Sequence, residues 1–537
     1  MLRRERAWAL VLGLGVTLAC RSTAGPPAAA PGDPEPMPPQ EAPVTPVRTI
    51  EASGPGYDGA VEARRVVAKS LAAHLGQSSA GRALSFSYTG TYRQAGHFAR
   101  PGQVDAYPIR GRYVLGMDGS RLHHEGTLRP AEGEPDLPTL AVVTPLGTAV
   151  QDYGRDQARA LEGDALAEAQ QELRWTAPHA ILREALDDPG SLRWLGVHPR
   201  GGEGYEMIGF VDGRGQSWSL WLNETSRLLG RVERMVAHPI EGDAVEWIEF
   251  SDYVLVGDMW LPRRRDEQRL EPSSSWSRTL ELDGLAVEPL DEAAFVLPAG
   301  VEAKAPPPAE ASLQSVAPGV YVVELPAYDC RSMVVAFADH SVVLEAPLAS
   351  EAGEAIMAAV RQALPGQPIR YLAMSHHHPH YTAGLRPFVH ARVRLLTTPG
   401  NQALVESIAT RPHRLRPDAL QREPQPLHLD LVEGSRVLTD GSTTLELIDV
   451  GAASKHTDEY LVFYLPQHKL LFEGDLGWLP SGDADAFTGQ RARRLLTLIE
   501  GLDREVELVV QSWPLEGQRR TATIEQLRAW AKEAGDG

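Results

Sequence analysis

The sequence predicts two unlike domains, a β-rich α+β domain over residues 55–300 and an α/β domain over residues 312–537. Three observations predict this. The chain has 537 residues, too many for one hydrophobic core. Apolar residues recur mostly at period two from about Arg82 to Pro298, then give way to alternating strand-like and helix-like runs. Between the two patterns lies a linker, residues 301–311, marked by Pro306-Pro307-Pro308. Hydrophobic content of 43% and charged content of 23% suit a soluble globular chain. The net charge is −19 and no Lys/Arg cluster follows the first residues, which excludes charge-driven binding of nucleic acid or anionic lipid.

Residues 1–20 read as a targeting segment. Arg3, Arg4 and Arg6 precede an apolar run of about 12 residues, Ala7 to Leu18. That run is too short for a bilayer core of roughly 30 Å and suits a secretory signal. It ends at Thr17-Leu18-Ala19-Cys20, which resembles a bacterial lipoprotein signal, with Thr17 where such signals usually carry Leu. The resemblance implies secretion across the inner membrane and lipidation at Cys20. The protein would then be anchored in the bacterial cell envelope, on the periplasmic face or the outer membrane. Residues 21–54 are rich in Pro and Ala with few large apolar residues, and read as a disordered tether. Cys330 is the only other cysteine, so neither a disulfide framework nor a Cys-based zinc site is expected.

The first domain opens with an expected helix over Ala60–Leu75. Leu84, Phe86 and Tyr88 alternate with small polar residues, as do Trp218, Leu220 and Leu222 before an Asn223-Glu224-Thr225 turn. Val245, Trp247 and Phe250 start another strand, and Gly257-Asp258 reads as a hairpin turn. Helices are expected at Asp156–Leu173 and His179–Leu186. The pattern predicts a curved antiparallel sheet around a few helices. It resembles the periplasmic lipoprotein-carrier and sorting-factor fold, a half-barrel that shelters acyl chains.

In the second domain, strands are expected at Val320–Leu325, Met333–Phe337 and Val342–Leu344. A helix capped by Ser350 follows, then a strand from Ile369 to Met374. That strand runs into Ser375-His376-His377-His378-Pro379-His380, four histidines in five residues. In an extended loop, His376 and His378 face the same side and can meet one ion, as zinc requires. His377 is expected to point away, toward the surface or behind the ligands. A solvated polar loop is the plain alternative.

These histidines, followed by Thr382-Ala383-Gly384-Leu385-Arg386, resemble the metallo-β-lactamase superfamily, whose motif is His-x-His-x-Asp-His. Lys455-His456-Thr457-Asp458 and Leu471-Phe472-Glu473-Gly474-Asp475-Leu476 fit its third histidine and its bridging aspartate, and Val343-Leu344-Glu345-Ala346-Pro347 fits its first helix approach. The resemblance covers residues 312–537 and implies an αββα sandwich. It departs at His380-Tyr381, where the family has Asp-His, and at Trp513, where it has a final His. The resemblance thus implies one zinc site, held by His376, His378 and His456, with Asp475 as bridging ligand or catalytic base. His380 could fill part of the second site.

Two functions follow. One is an envelope-anchored hydrolase of esters, amides or phosphoesters, or a degenerate descendant, acting on a small-molecule or lipid-like substrate. The other is a non-catalytic lipoprotein that binds lipid or another hydrophobic ligand and uses the second domain as a scaffold. The expected anchor is directly testable: Cys20→Ser should release the protein from the membrane fraction or leave it unprocessed. Fractionation identical to wild type would rule out lipidation at this residue.

Overall fold

The computed structural model describes residues 57–75, 81–130, 135–151, 158–271, 274–301, 311–482 and 486–533. The signal segment, Cys20, the tether and the proline run of the linker lie outside the described residues.

Helix α1 (Tyr57–Leu75) precedes a sheet that, among the described residues, has thirteen strands, every adjacent pair antiparallel. Its middle is where the chain closes on itself. Strand β1 (Arg82–Ala95) pairs with β2 (Val104–Gly116) on one side and with the last strand, Ser274–Pro289, on the other. From there the order runs outward to open edges at Arg159–Ala160 and Arg193–Arg200. The Asn223 turn and the two-residue Gly257-Asp258 turn fall where the pattern puts them, the second between paired Val256 and Met259. Asn223 Oδ1 accepts from the Thr225 and Ser226 amides, which closes the first turn.

Helices α2 (Gly163–Trp175) and α3 (Pro178–Asp187) cover one face of the sheet together with α1. Helix α2 starts later than expected, because Gly163 at φ 55° precedes its first turn. Two apolar clusters fill this face. One joins β1 and β2 to Ala169 and Leu173, and the other joins Val66, Val67, Ile181 and Leu182 to Ile208, Leu220 and Val232.

A buried charged seam crosses the same face. Strand Met259–Glu271 turns Arg265, Glu267 and Arg269 inward at period two. Glu267 accepts from Arg265 at 3.0 Å and from Arg278. The Arg265 guanidinium also donates to the Thr176 carbonyl at 3.1 Å, and Arg269 lies 3.5 Å from the centre of the Trp175 ring. Desolvating ions is tolerable only with such partners.

The second domain holds two mixed sheets. Among the described residues one has seven strands, from Ser312–Ala317 to His428–Leu431, and the other six, from Ser435–Thr439 to Ala522–Thr523. Side chains of both sheets share one core, in which Val322, Met333 and Leu344 meet Leu447, Phe463 and Phe472. Val323, Val334 and Leu372, on the opposite face of the first sheet, pack on helix Ser350–Ala363 and its neighbours. Val462, Leu471 and Val509 pack on helices Ala486–Gly501 and Ile524–Glu533. The layers therefore run helix, sheet, sheet, helix. Ser350 does not cap its helix: Ala349 is the capping residue, and the Ser350 hydroxyl donates to Asp418 instead. Cys330 is buried within a strand. Among the described residues no helix is long and apolar enough to cross a membrane.

The seam makes a stability prediction. Glu267→Gln leaves Arg265 and Arg278 without their carboxylate and should cost about 3–5 kcal/mol. Urea denaturation of the purified variant measures it, and a loss below about 1 kcal/mol would mean the seam is solvated.

Candidate metal centre

The strand Ile369–Ala373 delivers the histidine loop to the rim between the two sheets. Two contacts fix the loop before it reaches the histidines. Buried Glu345 accepts from the Ser375 amide at 3.0 Å, and the Ser375 carbonyl accepts from Leu461 at 2.8 Å. Burial pushes the Glu345 carboxyl up to about 8. His378 then enters the short helix Pro379–Thr382.

Donor atoms of His376, His378, His456 and Asp475 all lie within 4.8 Å of one another. Their neighbours decide which nitrogen faces inward. The Nδ1 of His376 pairs with the Ser375 hydroxyl at 2.9 Å, while its buried Nε2 has no hydrogen-bond partner and lies 3.9 Å from Asp475 Oδ1. His378 Nε2 lies 3.1 Å from the Phe98 carbonyl. A carbonyl can only accept, so that nitrogen carries the hydrogen and Nδ1 keeps its lone pair. His456 Nε2 is 3.0 Å from Asp475 Oδ2. The turn Gly451–Ser454 and left-handed Lys455 aim this third histidine, with Ser454 Oγ accepting from its amide at 3.1 Å.

Asp475 is held from behind by Tyr460. The Tyr460 hydroxyl donates to Asp475 Oδ1 at 3.2 Å and accepts from the amides of Gly474 at 2.9 Å and Asp475 at 3.1 Å. Gly474 has to be glycine here: a Cβ would stand 2.6 Å from that hydroxyl. Burial alone would raise the Asp475 pKa, but its close partner His456 outweighs it and holds the carboxylate well below its usual range. Burial keeps His376 and His378 well below the ordinary histidine range, so both are neutral.

This set fits a zinc ion. Imidazole nitrogens and a carboxylate oxygen are its ligand types. The unpartnered, buried His376 Nε2 is costly unless a cation or proton meets it.

His380 does not converge with these four. Its ring centre lies 5.1 Å from that of Trp513 and 5.3 Å from that of His97. Tyr381 packs its ring 4.3 Å from His376, and its hydroxyl is buried without a hydrogen-bond partner. Of the two positions expected for His377, the surface one does not hold: it is only 3% exposed, its ring centre lies 4.7 Å from that of His378, and burial pushes it down to about 3. It is enclosed because the N-terminal domain sits over the loop. Asp458 is neither a helix cap nor a partner of a ligand histidine. It pairs with Arg100, and its amide donates to the Ala99 carbonyl at 2.9 Å. Residues 97–100 thus belong to the site's surroundings. No local pattern flagged them, since Gly96–Gln103 reads as an ordinary polar hairpin loop.

The geometry makes a stoichiometric prediction. Purified protein should hold close to one tightly bound zinc per chain, and His376→Ala should lose it. Elemental analysis checks both, and two tightly held ions would contradict the single converging set.

No family model and no curated protein matches the sequence. Solved structures do match it. The mono-zinc form of the metallo-β-lactamase FIM-1 from Pseudomonas aeruginosa is 17% identical. That match covers 42% of this chain and 96% of that one, with a TM-score of 0.31. A metallo-β-lactamase from Pontibacter korlensis is 15% identical over 42% of this chain and 100% of that one, with a TM-score of 0.31. One from Erythrobacter litoralis is 15% identical over 42% and 96%, with a TM-score of 0.30.

Proposed function

We propose that the protein is an envelope-anchored, metal-dependent hydrolase of esters, amides or phosphoesters. The observation that carries the reading is the convergence of His376, His378, His456 and Asp475, with the nitrogen of each of the first two set by its neighbours. The three histidines would hold one zinc. A bound zinc would polarise a carbonyl or phosphoryl group and acidify a water. Asp475, ionised and fixed by Tyr460, is placed to orient an attacking water and accept its proton.

The substrate side is marked by charge. A small, partly open pocket lies beside His456 and Asp475 and is lined by Lys455, Arg491 and Arg494 among others. Arg491 is buried, donates to the Asp475 carbonyl and lies 4.9 Å from the Trp478 ring centre. Three cations around one pocket in a chain of net charge −19 favour a substrate with an anionic group.

The alternative, an acyl-chain shelter in a half-barrel, has less support. The helix-covered face of the N-terminal sheet carries Arg265, Glu267, Arg269 and Arg278 where an acyl chain would need apolar lining.

The reading predicts that zinc-loaded protein hydrolyses at least one substrate in a panel of carboxylate esters, thioesters, amides and phosphoesters. Asp475→Asn should lower kcat by about 100-fold or more. Arg494→Glu should raise KM for an anionic ester about tenfold and leave its neutral counterpart unchanged. A metal-loaded protein inactive on the whole panel would sink the hydrolase reading.

A further inference from the structure

Hairpin β1–β2 runs in full register from Ala83 paired with Gly116 to Ala95 paired with Val104. Its connecting loop, residues 96–103, reaches the metal centre of the other domain and closes one side of it. The Phe98 carbonyl accepts from His378 Nε2 at 3.1 Å, so the outward nitrogen of that histidine meets protein rather than solvent. The Ala99 carbonyl accepts from the Asp458 amide at 2.9 Å, and Arg100 pairs with the Asp458 carboxylate. The Phe98 ring is buried, and His97 packs on the rings of His378 and His380.

The opposite side is built differently. His456 and Asp475 line the small pocket, with side chains 13% and 7% exposed. His376 and His378 are buried and do not line it. Lys455 stands beside His456 there, and Arg491, Arg494, Leu495 and Leu498 line the pocket from one face of helix Ala486–Gly501. A molecule that reaches the centre this way passes between cations and leucines. One that must continue beyond the centre meets the docked loop.

We propose that the β1–β2 loop is a specificity-determining wall. It confines approach to the cationic pocket, so the protein acts on small anionic molecules and on chain ends that carry an anionic group beside the scissile bond, and it spares internal bonds of long chains. An internal bond needs room for chain on both sides of the reacting atoms, and the loop occupies one of those sides. The N-terminal domain thus sets the size of the substrate, and the pocket sets its charge. This rests on the metal-hydrolase reading above, but access to the centre can be measured apart from turnover.

The hairpin register supplies the test variant. Ala95 already pairs with Val104, so a two-residue Asn-Gly turn can replace residues 96–103 and keep the hairpin. Phe98→Ala is the milder variant: it removes the buried ring and keeps the carbonyl that meets His378. The probes are two unstructured peptides of equal length and charge. One ends in a C-terminal Cys, with its carboxylate beside the thiol, and the other carries Cys-Asp in its middle. Binding to the cobalt-loaded full chain is read from the thiolate-to-cobalt absorption band. Wild type should bind the mid-chain peptide at least about tenfold more weakly than the C-terminal one. The short-loop variant should recover most of that difference by binding the mid-chain peptide more tightly, with the C-terminal peptide unchanged. Phe98→Ala should shift in the same direction, and it carries the comparison if the short-loop variant does not fold. Equal binding of the two peptides by wild type overturns the proposal, as does mid-chain binding that neither variant improves. Weaker binding of both peptides by the variants overturns it too, because the loop would then be supporting the metal centre itself. Each of these results leaves the hydrolase reading standing, whereas a chain that takes up no cobalt removes both.

Discussion

The constraint on which the site depends is that a buried imidazole must have each nitrogen accounted for. Burial strips water from His376, His377 and His378 together, and an unmet polar nitrogen costs about 1–3 kcal/mol. The protein meets this by occupying the outward nitrogens of the two ligand histidines on the loop. Ser375 takes one of them, and a main-chain carbonyl from another domain takes the other. What remains points inward, toward Asp475. The same logic explains Tyr460, whose hydroxyl makes three hydrogen bonds and so fixes a carboxylate and the turn that carries it.

The N-terminal domain applies the rule with opposite chemistry. Its helix-covered face buries guanidinium groups rather than imidazoles, and pairs them with a carboxylate, a carbonyl and the face of an indole. Such groups are less adaptable than apolar side chains, because each has a fixed fork of donors that a displaced neighbour leaves unmet. A sheet held this way keeps one arrangement of its helices. That suits a domain whose longest hairpin must present a loop accurately to its neighbour.

Much of this was legible in the sequence because it is local. Period two located the strands around Leu84 and Trp218, the turn at Gly257-Asp258 came out to the residue, and the strand Val320–Leu325 matches end to end. His376, His378, His456 and Asp475 were each marked by a short motif, and the structure brings the four together. What could not be read is what distant segments do to one another. His377 was left open between the surface and a place behind the ligands because nothing nearby in sequence covers it. Nothing near Asp458 in sequence points to its partner, Arg100, which stands 358 positions away. Ser350 has the right chemistry for a cap and the wrong register, and its hydroxyl finds Asp418 instead. Periodicity shows which face of an element is buried, and leaves open which other element buries it.

The bond between His378 and the Phe98 carbonyl joins residues 280 positions apart. A contact of that span closes late, because the entropy of the intervening loop must be met before it forms. During synthesis the N-terminal domain is complete long before His456 and Asp475 leave the ribosome, so its hairpin waits for a partner. The centre therefore cannot mature piecemeal. It assembles only once the C-terminal domain has folded against that hairpin.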